Sequence, residues 1–324
     1  MLSFILNRVM HGVVVMVAVA LISFSMISFL GDPVSNMVGQ DTTVAQREEL
    51  RQSLGLNDPL PLQFARFIDN AVRGDFGLSY SLRVPVSELF AERLPATLEL
   101  SIISAIFAMV IGIPLGIHTA IHRHSLTTQT ILTTSLVGVS LPTFLIGILL
   151  ILIFGVVLRW LPTFGRGEVV MIGGWSTGLL TVSGLRSLIL PVATLTIFQL
   201  TLIIRLVRAE MMEVLRTDFI KFARARGIRR RSLNYRHALK NTLMPVITVV
   251  GLQLGNIIAF SLITESVFQW PGMGLLFVQA IGNADIPVMV AYLMIIALIF
   301  VLINLIVDLL LFALDPRLQS SGAK

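Results

Sequence analysis

The sequence predicts an all-α, polytopic membrane protein with six transmembrane helices. Three observations carry this. The chain is 55% hydrophobic and only 13% charged, with a mean hydropathy of +0.88. Apolar runs of bilayer-crossing length recur six times, and the basic residues gather in one segment between two of them. A soluble domain carries about 25% charged residues, so this chain has too few to cover a water-facing surface. The absence of cysteine excludes disulfides and thiolate metal sites. A net charge of +6 does not point to nucleic acid, because the clustering follows the positive-inside pattern of membrane proteins.

A spanning helix needs about 20 predominantly apolar residues. The first candidate runs from about 9 to 30 and follows Arg8. It resembles a secretory signal, but no small-residue cleavage site follows, and the chain continues into Gly31-Asp32-Pro33. Residues 1–30 are therefore read as an uncleaved span. Residues 31–95 are too long for a turn. Amphipathic stretches at 44–54 and 62–72, with turn signals at Asn57-Asp58-Pro59 and Arg73-Gly74-Asp75, predict a small helical piece outside the cytoplasm.

Residues 96–314 form the predicted five-helix core. Its spans fall at about 97–121, within the charge-free stretch 125–158, and at 186–207, 241–264 and 287–314. Backbone amides in lipid must be satisfied internally, so each run is predicted to be helical. Gly112, Pro114, Gly116, Pro142 and Gly147 are expected as kinks or close-packing points. The 159–186 connection, with Trp160 and Trp175, reads as an interfacial loop with aromatic anchors. Residues 315–324 are the predicted cytosolic tail.

Residues 205–243 carry eleven basic and three acidic side chains, whereas 31–95 carry six basic and nine acidic ones. The first segment is therefore expected in the cytosol and the second outside, and six spans place both termini in the cytosol.

Within the basic segment, Phe219, Phe222, Ala223 and Arg226 recur at i, i+3, i+4 and i+7, which predicts a short helix with an aromatic knob. Thr217 or Asp218 is placed to cap its start, and Gly227 to end it in the left-handed conformation. A short exposed helix held between two spans suits a partner surface. The plainer reading is a loop that only fixes topology, and the arginines alone do not separate the two.

The segment Phe219-Ile220-Lys221-Phe222-Ala223-Arg224-Ala225-Arg226-Gly227, followed by Arg236-His237-Ala238-Leu239-Lys240-Asn241 and Leu243-Met244-Pro245, resembles the EAA loop of ABC importer permeases, in its peptide-uptake form. The resemblance extends along the chain through Leu56-Asn57-Asp58-Pro59, Gly74-Asp75-Phe76-Gly77, Trp160-Leu161-Pro162, Trp270-Pro271-Gly272-Met273-Gly274 and Asp315-Pro316-Arg317. The chain has Lys221-Phe222-Ala223 where the general pattern has Glu-Ala-Ala, and His237-Ala238-Leu239-Lys240 where it has Ile-x-Leu-Pro. Both forms are usual in the peptide branch. The 31–95 insertion resembles that of the first of two permeases.

The resemblance implies a type I importer permease in the bacterial inner membrane, without enzymatic activity. Its implied partners are a distinct second permease forming a heterodimer, two cytosolic ATPase chains that hold ATP and Mg, and an extracytoplasmic binding protein that delivers substrate. The chain itself is expected to bind no cofactor. No Gly-x-x-x-x-Gly-Lys-Ser/Thr loop and no His-Glu-x-x-His occurs in it. Within a coupling loop at 208–243, the docking role maps onto Phe219, Phe222, Ala223, Ala225, Arg226 and Gly227, with Arg224 and Arg229 as electrostatic contacts. Relatives in this family handle dipeptides, longer peptides, glutathione, nickel chelates and other solutes.

Polar residues inside the spans are the candidates for the pathway: Thr194, Thr196, Gln199, Gln253, Asn256 and Asn304. Taken singly, each reads more readily as an interhelical hydrogen-bonding residue than as a pathway residue. Asp308 is expected to pair with Arg205 or Arg208. His118 and His122 sit at i, i+4 spacing without a nearby carboxylate, which favours loop-boundary histidines over a metal site. Trp270-Pro271-Gly272-Met273-Gly274 reads either as a re-entrant element or as an interfacial turn. A secondary transporter or channel for small solutes is the competing function, opposed by the scarcity of acids inside the spans. An intramembrane enzyme would need a nucleophile and base that the spans do not supply.

Overall fold

A computed structural model describes residues 2–29, 43–53 and 56–314. Gly31-Asp32-Pro33, Asp315-Pro316-Arg317 and the rest of the predicted tail lie outside the described residues. In chain order the helices are α1 (Leu2–Phe29), α2 (Val44–Ser53), α3 (Leu60–Val72), α4 (Val86–Ile121), α5 (Leu126–Ser140) and α6 (Thr143–Leu150). A short hairpin follows, β1 (Val170–Ile172) and β2 (Trp175–Thr177), and then α7 (Val182–Val214) and α8 (Asp218–Ala225). The chain ends in α9 (Leu239–Phe268), α10 (Met273–Gly282) and α11 (Ile286–Leu314).

Among the described residues, five helical stretches are long and apolar enough to cross a membrane. They correspond to the first, second, fourth, fifth and sixth predicted spans. The third is interrupted. Its two halves, α5 and α6, are separated by Leu141-Pro142, and a π-helical turn at Ile151–Val157 completes the second half. Pro142 has ψ 142 at the N-cap of α6. Proline lacks the N–H for a continuous ladder and disfavours helix in the residue before it, so the break falls where the sequence demands. The count of six holds with this broken segment taken as one span.

The most extensive packing is α4 along α7. A Cβ built on Gly112 would lie 2.7 Å from Ile203 Cγ2, and one on Gly116 would lie 2.6 Å from Val207 Cβ. Lipid tails are as apolar as leucine, so helices associate in a bilayer through close backbone approach at small residues. Glycine four residues apart on α4 provides that groove.

The predicted amphipathic stretches of the 31–95 region appear as α2 and α3. Helix α3 reaches α1 through Phe64 and Phe67, whose rings lie 5.4 and 6.1 Å from that of Phe24. Helix α1 packs along α11, where Arg8 Nε is 3.0 Å from Asp308 Oδ2. This corrects the expected pairing of Asp308 with Arg205 or Arg208. Helix α11 lies against α1 and α9 rather than α7, so the N-terminal arginine is the one within reach.

In the 159–186 connection, β1 and β2 pair antiparallel with Ile172 opposite Trp175. Trp160 and Trp175 are exposed, as expected of interfacial anchors. Trp270 is not. It is buried, and its indole N–H donates to Ala96 O at 3.0 Å. The reading of that motif as a Trp-anchored interfacial turn therefore fails, and the chain after it enters the short apolar helix α10.

Candidate functional site

Helix α8 is the eight-residue helix expected from the basic segment. Thr217 occupies its N-cap position in an extended conformation without capping through its side chain. Its hydroxyl donates instead to Val214 O at 2.6 Å. Asp218 in the first turn pairs with Lys221 at 2.8 Å. The hydrogen bond and charge of Lys221 hold its carboxyl below the ordinary aspartate range. The helix ends as predicted at Gly227, with φ +74. Gly227 N–H donates to Arg224 O at 3.0 Å and Ile228 N–H to Ala223 O at 3.3 Å. These two bonds are the Schellman pattern that satisfies the last carbonyls.

The two faces of α8 differ sharply. Ile220 is 0% exposed and Ala223 8%. Both join a core cluster with Ile117 and Ala120 from the end of α4, Val207 and Met211 from α7, and Leu233 and Ala238 from the entry to α9. Phe219 and Phe222 point outward, 44% and 64% exposed. The guanidinium of Arg226 lies 5.3 Å from the centre of the Phe222 ring, a cation–π contact. Arg224, Ala225, Gly227 and Arg229 are also exposed.

One part of the expected surface is corrected. Ala223 does not share the outward face of Phe219, Phe222 and Arg226. It sits three residues after Ile220, so the two form one buried stripe. Phe219 and Phe222 thus form an outward apolar face, while the buried stripe ties the helix to α4, α7 and the entry to α9.

The polar residues expected to line a pathway do not converge within the chain. Thr194, Thr196 and Gln199 are buried on α7. Thr194 donates to Leu190 O and Thr196 to Ser104 O on α4, while Gln199 Nε2 has no hydrogen-bond partner among the described residues. Asn304 faces α1, in a cavity of about 180 Å³ with Arg8, His11 and Asp308. Asn256 on α9 is exposed and donates to Gln253 at 2.9 Å. Of the six, Asn256 alone is exposed, and Gln253 and Asn304 are half-buried. The rings of His118 and His122 lie 4.6 Å apart, and His118 contacts Thr127. Among the described residues no group of histidine and acidic side chains is arranged to hold a metal.

The family model for the binding-protein-dependent transport system inner membrane component matches residues 112–320, and that for the N-terminal part of such membrane components matches 1–101. The chain belongs to this family. Among its relatives are the dipeptide transport permease DppB of Alkalihalophilus pseudofirmus, 36% identical over 98% of this chain and 100% of the relative, and the oligopeptide transport permease AppB of Bacillus subtilis, 35% identical with the same coverage. The glutathione transport permease GsiC of Escherichia coli K12 is 36% identical over 98% of this chain and 99% of the relative.

Among solved structures, a chain of the inward-facing MetNI methionine ABC transporter superposes with a TM-score of 0.55 at 18% identity. It covers 70% of this chain and 96% of that one. The chain is thus a multi-pass inner-membrane permease subunit of an ATP-binding-cassette importer, with the type I fold and no enzymatic activity of its own. Permeases of this family act with ATPase and substrate-binding partners, and the ATP and Mg belong to the ATPases.

The permease also holds three buried acidic sites that reasoning from apolar runs passed over. Glu99 on α4 pairs with Arg166 at 2.5 Å, both side chains 6% exposed. Arg166 also donates to Ser176 Oγ and Ser176 O in β2. Glu265 near the end of α9 accepts hydrogen bonds from Thr97, Ser261 and the amide of Leu275. Thr97 in turn accepts from the amide of Met273 at 2.8 Å. A Cβ on Gly272 would lie 2.4 Å from Glu265 Oε2, so glycine there lets α10 approach the carboxylate.

Between α10 and α11, Asp285 accepts from the hydroxyls of Ser79 and Ser81 and from the amides of Tyr80 and Ser81. Burial raises its pKa, but these four bonds together outweigh burial and leave it below the ordinary aspartate range. These networks bind α4, α9, α10 and the two connections together at the end of the bundle opposite α8.

Proposed function

We propose that this permease carries peptides or similarly small solutes into the cytoplasm, and that α8 is the helix through which a cytosolic ATPase drives it. The observation that supports this most is the division of α8. Phe219, Phe222 and Arg226 form an exposed contact surface, while Ile220 and Ala223 lock the same helix to the ends of α4, α7 and α9. A push on the outer face is thereby delivered to three membrane helices at once. Phe219, Phe222 and Ala225 supply apolar contact, Arg224, Arg226 and Arg229 supply charge, and Ala223 and Gly227 set the pose of the helix.

In this reading α8 and both termini are cytosolic, as the excess of basic residues in 205–243 requires. Residues 31–95 and the end bound by Glu265 and Asp285 face the binding protein. A distinct second permease completes a heterodimer, with two ATPase chains below it. Asn256, exposed on α9, and its half-buried hydrogen-bond partner Gln253 border the pathway between the two permeases. Thr194, Thr196, Gln199 and Asn304 serve helix packing. The peptide substrate class rests on the dipeptide and oligopeptide relatives, while the glutathione relative shows how wide the class is.

A secondary carrier would need an acid free to bind a coupling ion. Glu99, Glu265 and Asp308 are each engaged in the contacts described above. The test is an affinity pull-down of the tagged permease from its native membrane in mild detergent. An ATPase and a second permease co-purify if the reading is right. Recovery of this chain alone across several detergents sinks it.

A further inference from the structure

A cleft of about 740 Å³ lies between α5 and α7, outside the surfaces used so far. One wall is apolar, with Leu132 and Leu136 one turn apart on α5. The other is a basic stripe of Arg205, Arg208 and Arg216, with Glu213 as the one acid at its edge. Arg205 and Arg216 are exposed and Arg208 is half-buried. No ion pair or side-chain hydrogen bond involves any of the three among the described residues. Three guanidinium groups are thus gathered with a single carboxylate nearby, beside a greasy wall.

The depth of the cleft identifies its occupant. The eighteen residues of α7 between Arg186 and Arg205 carry no charge. At about 1.5 Å per residue those two arginines stand ~28 Å apart, close to the ~30 Å hydrocarbon thickness of a bilayer. Arg205 therefore sits at the hydrocarbon boundary when Arg186 sits at the other. Arg208 lies roughly one turn farther out, at the level of the lipid phosphates. Thr201, one turn inside Arg205, donates to Ser135 O on α5, so Leu132 and Leu136, which flank Ser135, lie at and inside that boundary beside the acyl chains. A charged stripe at phosphate depth beside apolar side chains at acyl depth complements an anionic amphiphile.

We infer that this cleft binds an anionic phospholipid, its phosphate on Arg205 and Arg208 and its first acyl segments on Leu132 and Leu136, with Arg216 at the outer rim of the cleft. The planar fork of arginine matches phosphate oxygens in pairs. Glu213 limits the net charge of the cleft and opposes binding. The inference rests on the chain spanning a bilayer. It holds whichever side of the membrane this end faces and whether or not α8 is the coupling helix.

The test uses the permease with its co-purifying chains in phosphatidylcholine nanodiscs, probed with spin-labelled phosphatidylglycerol and, separately, spin-labelled phosphatidylcholine. The wild type is expected to retain phosphatidylglycerol preferentially in its immobilised lipid shell. Each arginine near the headgroups contributes about a fivefold preference, so R205Q/R208Q should lower the preference about 25-fold. R205K/R208K should keep most of it, and E213Q should raise it. These variants separate loss of charge from loss of fold.

Equal retention of the two lipids by the wild type overturns the inference. So does an unchanged preference in R205Q/R208Q. Displacement of the labelled lipid by inorganic phosphate would show a site for a free anion and overturn the lipid as occupant. A preference present in the isolated chain but absent beside a second permease would make the stripe a subunit contact, which also overturns it.

Discussion

Replacing Arg166 by methionine isolates the cost of leaving Glu99 alone in the interior. Both side chains are 6% exposed and meet at 2.5 Å. The other oxygen of Glu99, Oε1, already lacks a hydrogen-bond partner among the described residues, so none of these stands ready to take over. Arg166 holds β2 through Ser176 as well, and its guanidinium lies 5.9 Å from the Trp270 ring. Breaking a buried pair by removing one partner costs about 3–5 kcal/mol, whereas replacing both by apolar groups is often close to neutral.

The R166M permease should therefore be destabilised by about 3–5 kcal/mol, and E99M/R166M should recover at least ~2 kcal/mol of that loss. The two Ser176 contacts are not regained in the double variant, so about 1–2 kcal/mol of the loss should remain. Reversible unfolding in mixed micelles, followed through the full double-mutant cycle, measures both quantities. An R166M cost below about 1 kcal/mol, or a double variant no more stable than R166M, would refute the reasoning. In either case the pair would be too well solvated to act as a buried ion pair.

Three further outcomes are expected. Gly227→Ala should destabilise the α8 end by about 1–2 kcal/mol, because its φ of +74 is left-handed, and Gly227→Asn should restore much of this; hydrogen exchange at Gly227 and Ile228 reads it. The Asp285 carboxyl is depressed on folding, so it adds stability above the unfolded aspartate pKa of about 3.9 and loses it as pH falls through the lower folded value. Unfolding titrations from pH 7 down to pH 5 should thus show no Asp285-dependent loss, and a difference between wild type and D285N that shrinks within that window would count against the Ser79–Ser81 network. Arg8 is about half exposed, so R8Q and D308N should each cost no more than about 1 kcal/mol, with the double variant close to either single one; additive losses would mean that the two side chains act separately.

Much of the fold was legible because lipid imposes a simple rule on sequence: long apolar runs must be helices. The ends of α4, α7 and α9 were less legible, since the apolar run marks the hydrocarbon and the helices continue past it. Helix α4 starts at Val86, well before the run begins near Thr97. Pro142 was visible as a disturbance, but whether it kinks or breaks a helix depends on packing.

At the candidate site, the start of α8, its end at Gly227 and its aromatic knob all follow from local spacing. The inward turn of Ala223 does not, because it depends on what α4, α7 and α9 place beneath the helix. Glu99, Glu265 and Asp285 escaped notice for a related reason. Each sits at the edge of an apolar run, where an acid reads as a boundary to water. Their partners Arg166, Thr97, Ser79 and Ser81 are remote in sequence, as Arg8 is from Asp308. One local cue existed for Glu265, the glycine-flanked Trp270-Pro271-Gly272-Met273-Gly274 that follows it, since glycines after a carboxylate allow a helix start to close on it.

The most direct test of the coupling role is Phe222→Asp, at a side chain 64% exposed and outside the core cluster. Uptake by cells carrying the variant and co-purification of the ATPase would be measured together, with co-purification of the second permease as the check on folding. F222D should insert and keep the second permease while losing both the ATPase and uptake. Normal uptake by stably expressed F222D would contradict the coupling role.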